Sequence, residues 1–348
     1  MKVESPVVKK TLILFFTLIA CSAAWYVSSV KKAQTEIAKT VLYPGLMEQL
    51  DQLKKITVSS LNDSITIKKT ENGWVLEEKD NFPADSTPVR KILLQMAKLS
   101  TLEQKTASVG GHAVLGVNNL TENGITRHRI ILTSVKGKSF ADLMVGKSTS
   151  DKNKSRRYIR KIDNEQSWVA EGDLEFSAIA VHWLDPKILD IPPEAVKSIV
   201  ITDFKSEPVV VTKETASETF FVLQNVPKGY LPKSKTLISS FGSILVDLRL
   251  NDVLATKRIE NLTAMREMKI TTFDGVQITL SDYMIGKKVF TSFRFNRTSL
   301  LENNPIRIES DKLKGYEEST KDWVYCLPKY KRRIIERKFE NMIKQVKN

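Results

Sequence analysis

Ile65–Thr106 reads ITIKKTENGWVLEEKDNFPADSTPVRKILLQMAKLSTLEQKT, and its hydrophobic period changes partway along. Up to Leu76, β-branched and aromatic residues partly alternate with polar ones, as in a half-buried antiparallel sheet. Glu71-Asn72-Gly73 is a turn between strands predicted over 64–69 and 73–77, and Asn62-Asp63 is another after a strand over 56–59. From Ser86 the spacing becomes helical. Val89, Leu93, Met96 and either Ala97 or Leu99 fall on one face, and Asp85 or Ser86 can cap the start. Three strands and a helix predict an αβ layer with one sheet face under the helix.

Outward from this stretch the pattern recurs. Asp142–Lys147 (DLMVGK) returns as Asp282–Lys287 (DYMIGK). Ile56–Val58 and Ile65–Ile67 correspond to Ile199–Ile201 and Val209–Val211, Trp74–Leu76 to Phe221–Leu223, Phe82-Pro83 to Tyr230–Pro232, and Ser167–Val169 to Asp322–Val324. The order is the same and the offset stays between 140 and 155 residues, which predicts an internal duplication. A second helix is expected over 233–248, with Leu237, Phe241, Ile244, Leu245 and Leu248 on one face. Later strands are expected over 127–134, 138–145 and 157–162, and over 268–273, 276–285 and 289–295. Pro186 and Ile191-Pro192-Pro193 mark the boundary between copies, taken as 53–193 and 194–328.

Toward the N-terminus, Thr11–Val30 (TLILFFTLIACSAAWYVSSV) has no charge and is flanked by Lys9, Lys10, Lys31 and Lys32. About 20 apolar residues can cross a bilayer as a helix. The expected class is therefore α+β: an N-terminal transmembrane helix, then two duplicated antiparallel sheet-plus-helix domains. A cleaved signal peptide fits less well, because the run is long and Trp25 and Tyr26 suit an interface. Leu18–Cys21 also resembles a lipobox, which makes Cys21 a candidate lipidation site. Residues 1–10 are expected in the cytoplasm, 31–52 as a stalk broken at Tyr43-Pro44-Gly45, and the body outside a bacterial cytoplasmic membrane.

Toward the C-terminus, residues 330–346 read as a basic amphipathic helix within a terminal segment 329–348. Ile334, Ile335, Phe339, Met342, Ile343 and Val346 line one side; Lys331, Arg332, Arg333, Arg337, Lys338 and Lys344 crowd the rest, with Lys347 beyond. Such a helix can dock on a partner, lie on lipid or pack on its own domain. Arg332, Arg333, Ile335, Arg337, Lys338, Phe339 and Met342 are the candidate interaction surface.

The 348 residues carry a formal net charge of +14, with 27% charged and 41% hydrophobic residues, an ordinary globular balance. Positive charge suits anionic lipid as well as nucleic acid. No aromatic-basic strip supports nucleic acid, which makes it an unlikely partner. Cys21 and Cys326 cannot pair within one chain if Cys21 is in a bilayer, and His112, His128 and His182 lack metal-ligand spacing. No metal and no cofactor is expected. Gly137-Lys138-Ser139 and Gly146-Lys147-Ser148 lack the glycine a phosphate loop needs and read as hairpin turns. Asp142 and Asp282 read as charged strand ends; Trp74, Trp168 and Trp323 read as core.

The run quoted above, with its Gly-Trp-x-Leu strand and Phe-Pro-Ala-Asp before the helix, resembles the bacterial family catalogued as domain of unknown function 4340. Trp323–Pro328 (WVYCLP) is similar to a closing Trp-x-Tyr-x-x-Pro signature of that family. The resemblance covers most of residues 56–328, and its motifs are structural. It implies a membrane-anchored, non-catalytic accessory component of an ABC-type envelope transport system, partnered with a transporter or auxiliary subunit. No catalytic residue carries over. The high basic charge and the basic C-terminal helix depart from the family pattern. An envelope hydrolase or transferase, or a cytoplasm-facing lipid or nucleic-acid binder, are the competing readings.

Overall fold

The computed structural model describes residues 39–120, 128–149, 155–203, 206–297 and 308–346, plus Ile19 and Ser22. Apart from those two residues, the Thr11–Val30 segment, Cys21 included, lies outside the described residues. Among the described residues no helix is long and apolar enough to cross a membrane.

In chain order, β1 (Leu53–Ser59), β2 (Ser64–Thr70) and β3 (Gly73–Leu76) precede α1 (Ser86–Lys98). Next come β4 (Ser100–Gln104), α2 (Val109–Leu115), β5 (His128–Ser134), β6 (Ser139–Ser148), β7 (Arg156–Lys161) and β8 (Ser167–Glu171). The second part contains β9 (Val196–Asp203), β10 (Val209–Thr212), β11 (Val222–Leu223), α3 (Lys235–Ser239), β12 (Asp252–Ala255), β13 (Arg266–Thr272), β14 (Val276–Ile285) and β15 (Lys288–Arg297). It ends with α4 (Ser310–Thr320), β16 (Trp323–Cys326) and α5 (Lys329–Ile335). The protein is a mixed α/β chain of mostly antiparallel sheets.

Two compact units divide the chain: residues up to Ser64 with Arg90–Ala178, and Ile65–Val89 with residues from Ile179 onward. In the first unit, neighbouring strands run β1-β5-β6-β7-β8-β4, and a two-residue strand, Thr40–Val41, lies on the outer edge of β4. In the second they run β11-β10-β9-β13-β14-β15-β16-β12. Ranked along the chain, β1 with β4–β8 and β9 with β12–β16 follow the same spatial order, 1-3-4-5-6-2.

Alternation explains each core. Ile56 and Val58 on β1 sit opposite Leu132 and Ile130 on β5, which face Ala141 and Leu143 on β6. Ile199 and Ile201 on β9 sit opposite Ile270 and Met268 on β13, which face Ile278 and Leu280 on β14. All are buried, and each large aliphatic side chain contributes about 1.5–3 kcal/mol through removal from water. The first helix forms as its sequence predicts: Asp85 Oδ1 accepts from Thr87 N–H at 2.7 Å, and Val89, Ile92, Leu93 and Met96 are buried.

Five expectations change. The helix expected over 233–248 is only α3 followed by a 3-10 turn, Ser240–Ser243. Ser240 and Ser243 hydroxyls donate to the carbonyls of Leu237 and Ser240 at 2.7 Å each, competing with helical bonding. Of the expected face, Phe241, Ile244, Leu245 and Leu248 are buried all the same, Leu237 is half-buried, and Ile238 is buried instead. The expected C-terminal helix likewise stops at Ile335; a 3-10 turn, Phe339–Met342, and a strand, Ile343–Gln345, follow. That strand pairs with Tyr230–Pro232.

Residues 39–52 are not free stalk. Thr40–Val41 pairs with β4, Leu42 and Leu46 are buried, and residues 46–52 form helical turns. Gly146 is not in a turn: β6 runs through it, and an added Cβ would lie 2.3 Å from the Leu115 carbonyl oxygen. Gly137 and Gly286 do sit in turns, with φ of 78° and 60°, where glycine avoids a Cβ clash. Trp74, Trp168 and Trp323 are half-buried, whereas Trp183 is buried.

Candidate functional site

The first unit has a cleft where the chain enters its sheet. Lys39 pairs with Glu171 at 2.6 Å, Leu42 N–H donates to Leu99 O at 2.8 Å, and Thr101 Oγ1 donates to Thr40 O at 3.2 Å. Tyr43 then turns inward. Its hydroxyl donates to Asp142 O at 3.2 Å, and Lys161 Nζ lies 4.8 Å from its ring centre. Burial pushes the Tyr43 phenol well above its ordinary pKa, so it stays neutral and acts as a wedge.

Two depressions flank this wedge. One, about 390 Å³, is lined by Val41, Pro44, Lys161, Gln166 and Trp168; the other, about 380 Å³, by Tyr43, Phe140, Asp142, Lys161 and Asp163. Lys161 lies in the wall of both. Half-buried aromatic and aliphatic surface with a few polar groups is a binding chemistry. It has no nucleophile–base pair. Asp142 is held by Arg129 through two bonds, Nε to Oδ1 at 2.7 Å and Nη2 to Oδ2 at 2.6 Å.

Asp282, in the second unit, is the hub of a buried ionic network. Arg332 donates to both its oxygens at 2.9 Å, Arg266 Nη1 donates to Oδ2 at 3.2 Å, and Thr291 Oγ1 donates to Oδ1 at 2.7 Å. Arg266 continues to Asp203 at 2.9 Å, and Arg332 to Glu336 at 2.9 Å. Burial works against the Arg332 charge, but Asp282 and Glu336 outweigh it and hold the guanidinium above its ordinary pKa.

The expected C-terminal interaction surface is therefore corrected. Arg332, Ile335, Phe339 and Met342 are buried in the second unit, and Lys331 donates to the carbonyls of Ser243 and Val246. Arg337 is half-buried and donates to Leu237 O at 2.8 Å and Ser240 Oγ at 2.9 Å. Of the seven residues, only Arg333 and Lys338 are exposed. The apolar side chains of this segment pack into the unit and carry the cations with them, and the backbone carbonyls and Asp282 offset part of the lost hydration.

Part of the positive charge is consumed in this way: Arg160, Lys213, Arg266, Lys331 and Arg332 are all buried. Among the described residues no group of three His, Cys, Asp or Glu side chains could hold a metal ion. Buried His112 has Nε2 2.7 Å from the Glu165 carbonyl oxygen. Cys21 lies outside the described residues. The cleft beside Tyr43 was not foreseen; its signal was the Tyr43-Pro44-Gly45 break, read as a stalk feature.

The family model described as Domain of unknown function (DUF4340) matches residues 74–273, more than half of the chain. Trp323–Pro328 falls outside that match. No curated protein and no solved structure matches the chain.

Proposed function

Since the chain belongs to the DUF4340 family, we propose that it is a membrane-tethered, extracytoplasmic scaffold, a non-catalytic accessory component of an ABC-type envelope transport system. Residues 53–193 and 194–328 are copies of one ancestral fold, a reading supported by the strand order that β1 with β4–β8 shares with β9 with β12–β16. The observation that carries the scaffold reading is the short connection between Thr11–Val30 and the cleft. Nine residues, 31–39, separate Val30 from Thr40, and a fully extended chain of that length spans about 30 Å. The Tyr43 cleft is thereby confined near the membrane surface, within reach of an extracytoplasmic loop of a membrane-embedded partner.

Asp142 and Asp282, the most suggestive carboxylates in the sequence, are each held by arginine, which supports a structural role for both. The test has two parts. Fusions after Lys32 and at the C-terminus should be active only with a reporter that works outside the cytoplasm. A photo-crosslinker at exposed Val41 should capture a polytopic transporter subunit from intact cells. Cytoplasmic reporter activity from both fusions would overturn the topology, and crosslinks confined to soluble cytoplasmic proteins would overturn the scaffold role.

A further inference from the structure

The second unit carries a small antiparallel ribbon, Tyr230–Pro232 with Ile343–Gln345, in the register Tyr230 to Gln345, Leu231 to Lys344 and Pro232 to Ile343. Val346 N–H donates to Gly229 O at 2.8 Å and extends it. It is anchored where it meets the preceding turn: Met342 is fully buried, and its carbonyl accepts from Lys233 N–H at 2.7 Å. Leu231, Lys344 and Val346 lie on one face of the ribbon and Tyr230 on the other, because successive strand residues point to opposite sides. Tyr230, Leu231 and Val346 are 38%, 52% and 44% exposed.

The rim is basic. Lys228, Lys233, Lys235, Lys338 and Lys344 are all exposed, and residues 219–246 contain no acidic side chain. Glu340 is the one carboxylate in the 337–346 segment, 4.0 Å from Lys338. An exposed tyrosine and two aliphatics with exposed lysines on the same short segments have the chemistry of a bilayer interface: the apolar tips enter the headgroup boundary while ammonium groups meet anionic phosphates.

We infer that the Tyr230–Pro232/Ile343–Gln345 ribbon is a docking surface for an anionic membrane leaflet. It is a second contact with the bilayer besides the tether, and it rests on the membrane-held reading above. An anionic leaflet is favoured over a protein partner as occupant because five exposed lysines face a single carboxylate, Glu340, in these segments, a charge complementary to lipid phosphates.

The full chain with Cys21→Ser and Cys326→Ser, labelled at Leu231→Cys with a polarity-sensitive thiol dye, tests this. It is reconstituted into phosphatidylcholine vesicles with or without about one-third phosphatidylglycerol. The expected result is a blue shift and protection from aqueous quencher in anionic vesicles only. High salt should reverse it. Lys228→Glu/Lys233→Glu/Lys344→Glu should abolish it while leaving thermal unfolding unchanged. A dye at exposed Leu61 in the first unit serves as the reference. No shift at 231 in anionic vesicles with which the chain co-floats would overturn the inference. A chain that fails to float with either vesicle would instead overturn the tether, and a shift equal in both lipids would overturn the anionic character.

Discussion

Arg332 places its two Nη nitrogens on the two carboxylate oxygens of Asp282, each at 2.9 Å, across 50 residues of sequence. Both side chains are buried, and Arg266 and Thr291 complete the carboxylate's coordination. A bidentate pair out of water is costly to break from one side, because the remaining charge has lost both its partner and its hydration.

Arg332→Ala should therefore destabilise the second unit by about 3 kcal/mol, the lower end for a broken buried pair because Arg266 stays in place. Urea unfolding of Arg332→Ala, Asp282→Asn and the double variant should show non-additive losses. A loss near zero for Arg332→Ala would mean that Arg266 and Thr291 alone satisfy Asp282.

Removing the chain after Pro328 should abolish cooperative unfolding of the second unit. The deleted segment contributes Ile335, Phe339 and Met342 to the core, besides Lys331 and Arg332. Native-like near-ultraviolet dichroism and a sharp transition in the truncated chain would contradict this.

Gly146→Ala should lower stability by about 2 kcal/mol through overpacking. The added carbon would meet the Leu115 carbonyl oxygen at 2.3 Å and Val117 Cγ1 at 2.9 Å, so backbone has to move. A midpoint unchanged in denaturant would show that the loop after α2 yields at no cost.

Asp252 predicts part of the acid limb. Burial raises its pKa, but Lys288 at 2.8 Å and Lys79 at 2.5 Å outweigh that and hold it below the ordinary carboxylate value. With a depressed folded pKa, its contribution is fully present above the unfolded value of about 4 and is lost as pH falls further. Stability measured against pH should show a shallower acid decline for Asp252→Asn than for the parent chain. An identical slope would sink this assignment.

Local pattern sufficed wherever local chemistry makes the decision. The Asp85 cap, the α1 face, the Gly137 turn and the alternation within β1 and within β9 follow from period and turn residues. Those signals act over a few residues, so neighbours in sequence carry them. The matched segments found along the sequence fall on strands of the same rank, β6 with β14 and β8 with β16, for the same reason.

Tertiary structure decided the rest. The period of residues 330–346 fits a helix, and nothing local opposes one as far as Val346. Its fate depends on Asp282, on the Ser243 and Val246 carbonyls and on the Tyr230–Pro232 strand, all remote along the chain. Composition could count the lysines and arginines but not separate those buried from those facing water. That separation depends on which carboxylates and carbonyls the fold brings within hydrogen-bond reach, because a desolvated cation is stable only beside them.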